Sequence, residues 1–500
     1  MKIKYYSEAE IYVDCDFDEA RDIGDRFSFY LPMAHFSKKY QAGIWDGRIR
    51  LFNQNAGTMP FGLLPKLIKY LKFNNYDFTV QKGLLDKGEK YSAKKITDFA
   101  RKVLKLPKEF DPIYDHQIKA IQNFLYHKKM IGISATASGK SLIYYLFFNM
   151  LQFLYDDMKF LLIVPRTSLV EQMAKDFNDY GKNFMDMNQH VHRIYSGKEK
   201  YTDKAITVST WQSLQNMPKE YFKKFNCLVV DEVHEATAKE LPRIANLCIN
   251  AMYRIGMSGH LKDCKISKLQ LEGLLGRIKT FSKSADLIEK GILSDIRIKA
   301  IILKHTKKAA KACYSMINKG DTEEKKKGYK KELDLIRSIK ERKKFVCKLA
   351  ASRKKNTMVL FKSRDYGGSL NRLLKKNFPE KRVYYIDGTI PVKHREKVRE
   401  MAEKFNNVII VASYGTFSTG INIKNLHNLI FGESILSSVK VIQSIGRVLR
   451  KYFDKNARLY DVADDLTFHN KKNYAIRHFY RRIKYYDQEQ FDYDVSTIKI

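Results

Sequence analysis

The sequence predicts an α/β protein with two tandem domains built on parallel sheets, preceded by a small α/β domain. Three observations predict this. Five hundred residues are more than one hydrophobic core organises. Short apolar runs alternate with helical patterns, as buried parallel strands joined by crossover helices require. That rhythm occurs twice in succession, so two sheets are expected rather than one.

The elements follow in order. Ile11–Phe17 reads as a strand and Asp18–Phe29 as a helix with an acidic first turn. Arg48–Phe52 is a strand closed by the Asn55-Ala56-Gly57 turn, and Leu63–Leu71 is an amphipathic helix. The first series of buried strands is Met130–Ser134, Phe160–Val164, Ile206–Ser209, Leu228–Val230 and Arg254–Ser258. The second is Thr357–Phe361, Val383–Ile386, Val408–Ala412 and Leu429–Phe431. The expected domains are residues 1–95, 96–290 and 291–470, with 471–500 as a C-terminal helical extension.

Charge narrows the function. Lys+Arg 92 against Asp+Glu 55 leaves a net +37, while 44% hydrophobic residues exclude a disordered basic tail. A nucleic acid or an anionic membrane is the partner such an excess implies. Residues 301–400 carry about half of it, densest between Lys307 and Lys344. That stretch is either a solvated helical face or a surface that tracks phosphates. The longest uncharged apolar run, Ser141–Tyr155, is too short to span a bilayer, and the N-terminus has no signal-peptide core. Cys15, Cys227, Cys248, Cys264, Cys313 and Cys347 form no CxxC pair, which reads as reduced thiols without structural zinc.

The strand Met130–Ile133 runs into Ser134-Ala135-Thr136-Ala137-Ser138-Gly139-Lys140-Ser141 and then an apolar helix. A phosphate loop needs small residues so that backbone N–H groups face the anion at a helix N-terminus. It needs a Lys for the β/γ-phosphates and a hydroxyl for Mg²⁺, and Lys140 and Ser141 supply both. Ser134 stands where the strict pattern has its first Gly. Farther on, Cys227–Val230 ends in Asp231-Glu232-Val233-His234, and carboxylates at the C-terminal end of a parallel strand lie in the ligand crevice. Asp231 is the expected Mg²⁺ ligand, beside Ser141, and Glu232 the group that deprotonates the attacking water. In Val441–Arg450, helical spacing puts Arg447 and Arg450 on one face near Gln443, suited to neutralising transferred phosphate.

Taken in order, these motifs resemble the superfamily-two DExH helicases over about residues 105–465. The resemblance implies RecA-like domains, ATP and Mg²⁺ as cofactors, and a nucleic-acid-stimulated ATPase. Tyr114-Asp115-His116-Gln117 matches the glutamine motif, with Gln117 reading adenine. Nucleotide contacts are implied for Ala135, Thr136, Ala137, Ser138, Gly139, Lys140, Ser141, Gly420 and Asn422. Lys140, Asp231, Glu232, Gln443, Arg447 and Arg450 would carry the chemistry. Arg166, Thr210, Trp211 and Ser413 would hold the strand. Gly256-Met257-Ser258-Gly259-His260 stands where the family has Ser-Ala-Thr, and Asn422 replaces an Asp.

Near the N-terminus, aromatics interleave with cations from Phe36 to Leu51, and Trp45, Arg48 and Arg50 are candidate base and phosphate contacts. The alternative is a Trp-anchored hairpin with solvated arginines. This segment together with the core is similar to the recombination helicases of T-even phages. That similarity implies a DNA motor acting on forks, Holliday junctions, D-loops and R-loops in host cytoplasm. Its partners would be branched, duplex and single-stranded DNA, RNA within R-loops, and single-strand-binding or recombination proteins, with no membrane. An RNA remodeler and an ATP-silent nucleic-acid scaffold remain the alternatives; the intact Lys140, Asp231 and Glu232 speak against the scaffold.

Overall fold

The protein is described from a computed structural model. The described residues are all except 32–33, 196, 237–239, 262–266, 319–327, 420–422, 424, 436–440, 442–443 and 447–456. The chain divides into two compact units, residues 1–134 with 138–282 and residues 283–500 with 135–137.

The N-terminal part of the first unit contains β1 (Lys2–Tyr5), β2 (Glu10–Asp14), β3 (Ser28–Tyr30), β4 (Arg48–Arg50), β5 (Thr58–Pro60) and β6 (Thr79–Val80). Four of these form a sheet in the order β5-β2-β1-β6, and β3 pairs antiparallel with β4 as a separate ribbon. The helix Phe17–Arg26 starts at a capping box in which Asp16 accepts from the Glu19 N–H and Glu19 from the Asp16 N–H. Its Ile23 and the helix residues Leu64, Leu67 and Leu71 close a small core over Ile3, Ile11 and Val13.

This part is tied to the larger sheet of the same unit. Gly62 lies so close to the helix Lys268–Leu275 that a Cβ would sit 2.0 Å from the Glu272 carbonyl oxygen. Lys129 donates to Glu8 at 2.6 Å, and burial lowers its ammonium pKa to about 8 although Glu8 opposes the shift.

The larger sheet comprises β7 (Lys129–Ser134), β8 (Phe160–Val164), β9 (Val191–Ile194), β10 (Ile206–Thr210), β11 (Cys227–Val230), β12 (Tyr253–Ser258) and β13 (Arg277–Ser282). It is parallel throughout, in the order β13-β7-β12-β11-β8-β10-β9. Every residue of β8, β10, β11 and β12 is buried, which is why these strands read as apolar runs. Within β12, Arg254 is the exception in type; it donates to the carbonyls of Ala245, Cys248, Ala251 and Leu274.

The second unit repeats the plan with β14 (Ile296–Lys304), β15 (Thr357–Phe361), β16 (Arg382–Ile386), β17 (Val408–Ser413), β18 (Asn428–Phe431), β19 (Ala457–Asp465) and β20 (Asp492–Lys499). These are also all parallel, in the order β16-β17-β15-β18-β19-β14-β20. One expectation is corrected here. Residues 471–500 are not a helical extension, because the helix Tyr474–Gln488 is followed by β20, which pairs with β14 from Arg297 to Lys304. The run Asp-Tyr-Asp-Val-Ser-Thr-Ile-Lys is rich in strand formers, and as an edge strand it needs no apolar outer face. The Lys-rich stretch is helical over Lys307–Asn318, Gly328–Ser338 and Lys340–Ala351. Among the described residues, no helix is long and apolar enough to cross a membrane.

Candidate ATP and nucleic-acid sites

β7 and β11 are separated in the sheet only by β12, so their C-terminal ends lie about 10 Å apart at the usual strand spacing. The helix Lys140–Leu154 begins directly after the loop that follows β7. Lys140 spans the gap and donates to Glu232 Oε1 at 2.6 Å. A Lys and two carboxylates are thereby gathered at one sheet edge, largely out of water.

The loop owes its shape to small residues and two hydroxyls. Gly139 has φ +82, and a Cβ there would meet the Gln117 amide nitrogen at 2.3 Å, so only glycine fits. Ala137 also has positive φ, at 65°. Ser134, where the strict motif has Gly, is buried and bonds both Ser138 Oγ and Ser282 Oγ at 2.8 Å. The hydroxyl ties the loop to β13, a use that a glycine could not serve. Gln117 Oε1 accepts from the Tyr114 N–H, and its Nε2 donates to the Ser138 carbonyl at 3.0 Å. One amide hydrogen and one lone pair remain for a ligand.

The carboxylates differ in environment. Asp231 accepts from the Tyr144 hydroxyl at 2.8 Å, and burial pushes its pKa above the usual carboxylate range although Lys140 opposes this. Burial also acts against Glu232, yet Lys140 and His234 outweigh it and hold that carboxyl well below its ordinary value. The same two carboxylates keep Lys140 charged despite its burial. Glu232 has a left-handed backbone, φ 48 and ψ 52, the kind of strain that clusters at working sites. His234 Nδ1 lies 2.6 Å from Ser258 Oγ and 3.2 Å from Glu232 Oε2. Ser258 gives its own proton to the His260 carbonyl, so Nδ1 carries the hydrogen and both neighbours accept it. Ser258 and His260, where the family has Ser-Ala-Thr, therefore steady the DEVH histidine. Ser141 Oγ is 2.8 Å from the Tyr180 hydroxyl.

The strand-contact candidates divide. Arg166 Nη2 donates to both carboxylate oxygens of Glu235 at 3.0 and 3.2 Å and stays partly exposed. Thr210 and Trp211 do not face a groove: they are 4% and 2% exposed. The Trp211 indole joins Leu214, Met217 and Phe222 in the core, where a large apolar ring gains more than at a surface. Ser413 ends β17 and pairs with Thr416 Oγ1 at 2.7 Å. Trp45 is half-buried and donates to the Arg48 carbonyl at 2.7 Å, so it also anchors the ribbon's loop. Arg50 is neutralised by Asp25 and Asp46, each at 2.8 Å, whereas Arg48 donates to the Ser28 hydroxyl and, among the described residues, has no ion pair. Gly420, Asn422, Gln443, Arg447 and Arg450 lie outside the described residues.

Tyr144, Tyr180 and Glu235 were not singled out in the sequence. Tyr144 was within reach, since it follows Lys140 by four residues and so shares its helical face.

Three family models match the chain: DNA helicase UvsW, N-terminal, over residues 1–81; the type III restriction enzyme res subunit over 111–263; and the helicase conserved C-terminal domain over 341–452. The ATP-dependent DNA helicase uvsW of Enterobacteria phage T4 is 32% identical over 517 aligned residues, covering 100% of both chains. The chain belongs to the UvsW family of ATP-dependent DNA helicases. The crystal structure of T4 UvsW matches with a TM-score of 0.52 and 30% identity, covering 100% of this chain and 99% of that one. A DNA 3'-5' translocase, XPB2 of Sulfurisphaera tokodaii, is 23% identical over 70% of this chain and 80% of its own length. The helicase MrfA, solved bound to DNA, shares the fold at 14% identity and a TM-score of 0.56. Within the UvsW family the two parallel sheets are tandem RecA-like domains, and the chain is an ATP-dependent DNA helicase.

Proposed function

We propose that this helicase unwinds and branch-migrates forks, Holliday junctions, D-loops and R-loops in recombination, repair and replication restart, in host cytoplasm. The observation that carries the motor is the Lys140–Glu232–Asp231 cluster at the ends of β7 and β11. Its substrate follows from the UvsW-type match, which includes the N-terminal 81 residues as well as the core.

The donors fit a magnesium nucleotide: the Ser141 hydroxyl and Asp231 carboxylate are hard oxygens, and Lys140 is a mobile point charge. Bound Mg²⁺ would neutralise developing charge on the phosphates. Lys140 moves its ammonium from Glu232 to the phosphates, which frees Glu232 to take a proton from the attacking water. His234 Nδ1–H fixes the direction of the Glu232 carboxylate. Gln117 holds the loop and offers its remaining amide groups to the base. Gln443, Arg447 and Arg450 keep the charge-neutralising role their motif implies, and Gly420 and Asn422 their place at the nucleotide. Arg166, Ser413, Trp45 and Arg48 remain the proposed strand contacts.

The test is ATPase and unwinding measured with four-way junctions, forks, duplex, single-stranded DNA and structured RNA. Junctions and forks should stimulate ATPase and be unwound. Stimulation by RNA alone would overturn the DNA assignment.

A further inference from the structure

The second unit has a cleft of about 480 Å³ that none of the helicase motifs uses. It lies between the helix that follows β14 and the turn and helix that follow β19. These two strands are neighbours, so the cleft opens at the C-terminal edge of the sheet, the edge on which Ser413 ends β17. Ligands of open parallel sheets bind along that edge.

Its apolar lining comes from Ile317 and Leu466, with Tyr314 and Tyr474 also lining it. Three cations line it as well: Lys471, Lys472 and Arg477. All three are exposed, and among the described residues none of them has a carboxylate within ion-pair distance. Lys471 sits 5.5 Å from the centre of the Tyr314 ring, and Arg477 lies 4.4 Å from that of Tyr474. The lysines are held in place by strain. His469 and Asn470 have φ of 44° and 57°, a tight turn closed by paired backbone bonds between Phe468 and Lys471. Two consecutive non-glycine residues in left-handed conformation are costly, and the turn's product is a pair of lysines at the cleft rim.

We propose that this cleft binds one nucleotide unit of a nucleic-acid strand, with the base against the aromatic and apolar lining and the flanking phosphates on Lys471, Lys472 and Arg477. Aromatic rings beside apolar side chains and cations suit a base and its phosphates. An acidic peptide would use the cations but not the aromatic and apolar lining. The cleft gives the chain a grip on the strand beyond the motif loops, and it rests on the DNA-motor reading above.

The test uses the full chain with Lys471→Glu and Lys472→Glu together, and separately Arg477→Gln. Fluorescence anisotropy on a labelled thymidine single strand is read over a salt series, alongside DNA-independent ATPase and the thermal midpoint. The double variant should bind roughly tenfold or more weakly, and its salt dependence should flatten by about 1.4 in the log–log slope, two lost contacts at ~0.7 each. Basal ATPase and midpoint should stay put. Tyr314→Leu, with Tyr474→Leu as its second form, should weaken binding to the normal strand while sparing a strand abasic at its centre. Unchanged affinity and slope in the charge variants would overturn the subsite and leave the motor reading intact. Failure of the unsubstituted chain to bind DNA would overturn both. Loss of binding to an oligoglutamate peptide, with DNA binding retained, would reassign the cleft to acidic protein partners.

Discussion

In the first unit, Lys140 and Glu232 keep 11% and 15% side-chain exposure. In the second, Arg342–Asp464 and Arg482–Asp461 are 0% exposed on both sides. Both arrangements put opposite charges about 2.7 Å apart, just past the end of β11 in the first unit and within β19 in the second. The difference lies in what else each charge touches. Arg482 spends its guanidinium on Asp461 and the Ile435 carbonyl, and Tyr486 donates to the same Asp461. Arg342 bonds Asp464, Tyr366 and the Gly432 carbonyl. Those clusters fasten helices to the sheet. The Lys140 pair is a single contact that an incoming anion can replace, and the two carboxylates beside it are pushed in opposite directions.

The largest effect should come from breaking the open pair. Glu232→Gln removes the proton acceptor and should lower DNA-stimulated turnover by about 10²–10⁴. The thermal midpoint should fall only modestly: the amide keeps the shape and Asp231 still faces Lys140, although the stabilised charge is lost. Steady-state ATPase and a melting curve on the same preparation check both halves. Full turnover would show that Glu232 is not the base.

The sealed pairs should give the reverse pattern. Arg482→Met leaves the Asp461 carboxylate buried without its partner and should cost about 3–5 kcal/mol, read from urea unfolding of the second transition. ATPase per folded molecule should survive. Adding Asp461→Leu should recover much of the loss, because the uncompensated charge is what destabilises. A smaller effect concerns pH. Burial works against the charge on Asp464, but Arg342 and His305 outweigh it and hold its carboxyl below the ordinary value. A depressed carboxylate adds stability above its unfolded pKa of about 3.9 and loses it as pH falls through the folded value. Asp464→Asn should therefore flatten the fall in midpoint below about pH 4. An identical acid limb would show that this pair does not govern acid unfolding.

These contrasts also mark what could be read from the sequence. In the first sheet β7, β8, β10, β11 and β12 were legible because burial makes them apolar runs, as were β15 to β18 of the second; the edge strands β9 and β13, partly exposed, were not. β19 was not, because Asp461 and Asp464 interrupt it and look like turn residues until Arg482 and Arg342, distant in sequence, are seen to neutralise them. β14 alternates isoleucines with Arg297 and Lys299, so the basic surroundings masked its period of two. At the candidate site, the meeting of Lys140 with Glu232 beside Asp231 was legible because each directly follows an apolar strand or its loop. Trp211 misled for the opposite reason: an aromatic beside a strand end fits base stacking and core packing equally well, and only the fold separates them. Glu235 could not have been paired with Arg166 without the sheet order that sets β8 beside β11.

The finest test of the open cluster is Tyr144→Phe. The Tyr144 hydroxyl donates to Asp231 and stabilises its ionised form, partly offsetting the burial that raises this carboxyl. Removing the hydroxyl removes a donor to the charged state only, so the Asp231 pKa must rise further. If turnover requires ionised Asp231, the acid limb of the pH–rate profile should move upward in the variant. A net hydrogen bond of about 0.5–1.5 kcal/mol corresponds to roughly 0.4–1 pH unit. Well above that limb the two enzymes should turn over alike, which separates a shifted ionisation from a damaged site. In the sealed cluster the matching change, Tyr486→Phe, removes a donor to Asp461 in the same way, yet it should leave the pH–rate profile where it is. A limb that moves with Tyr486 and not with Tyr144 would mean that the chemistry and the architecture had been assigned to the wrong pairs.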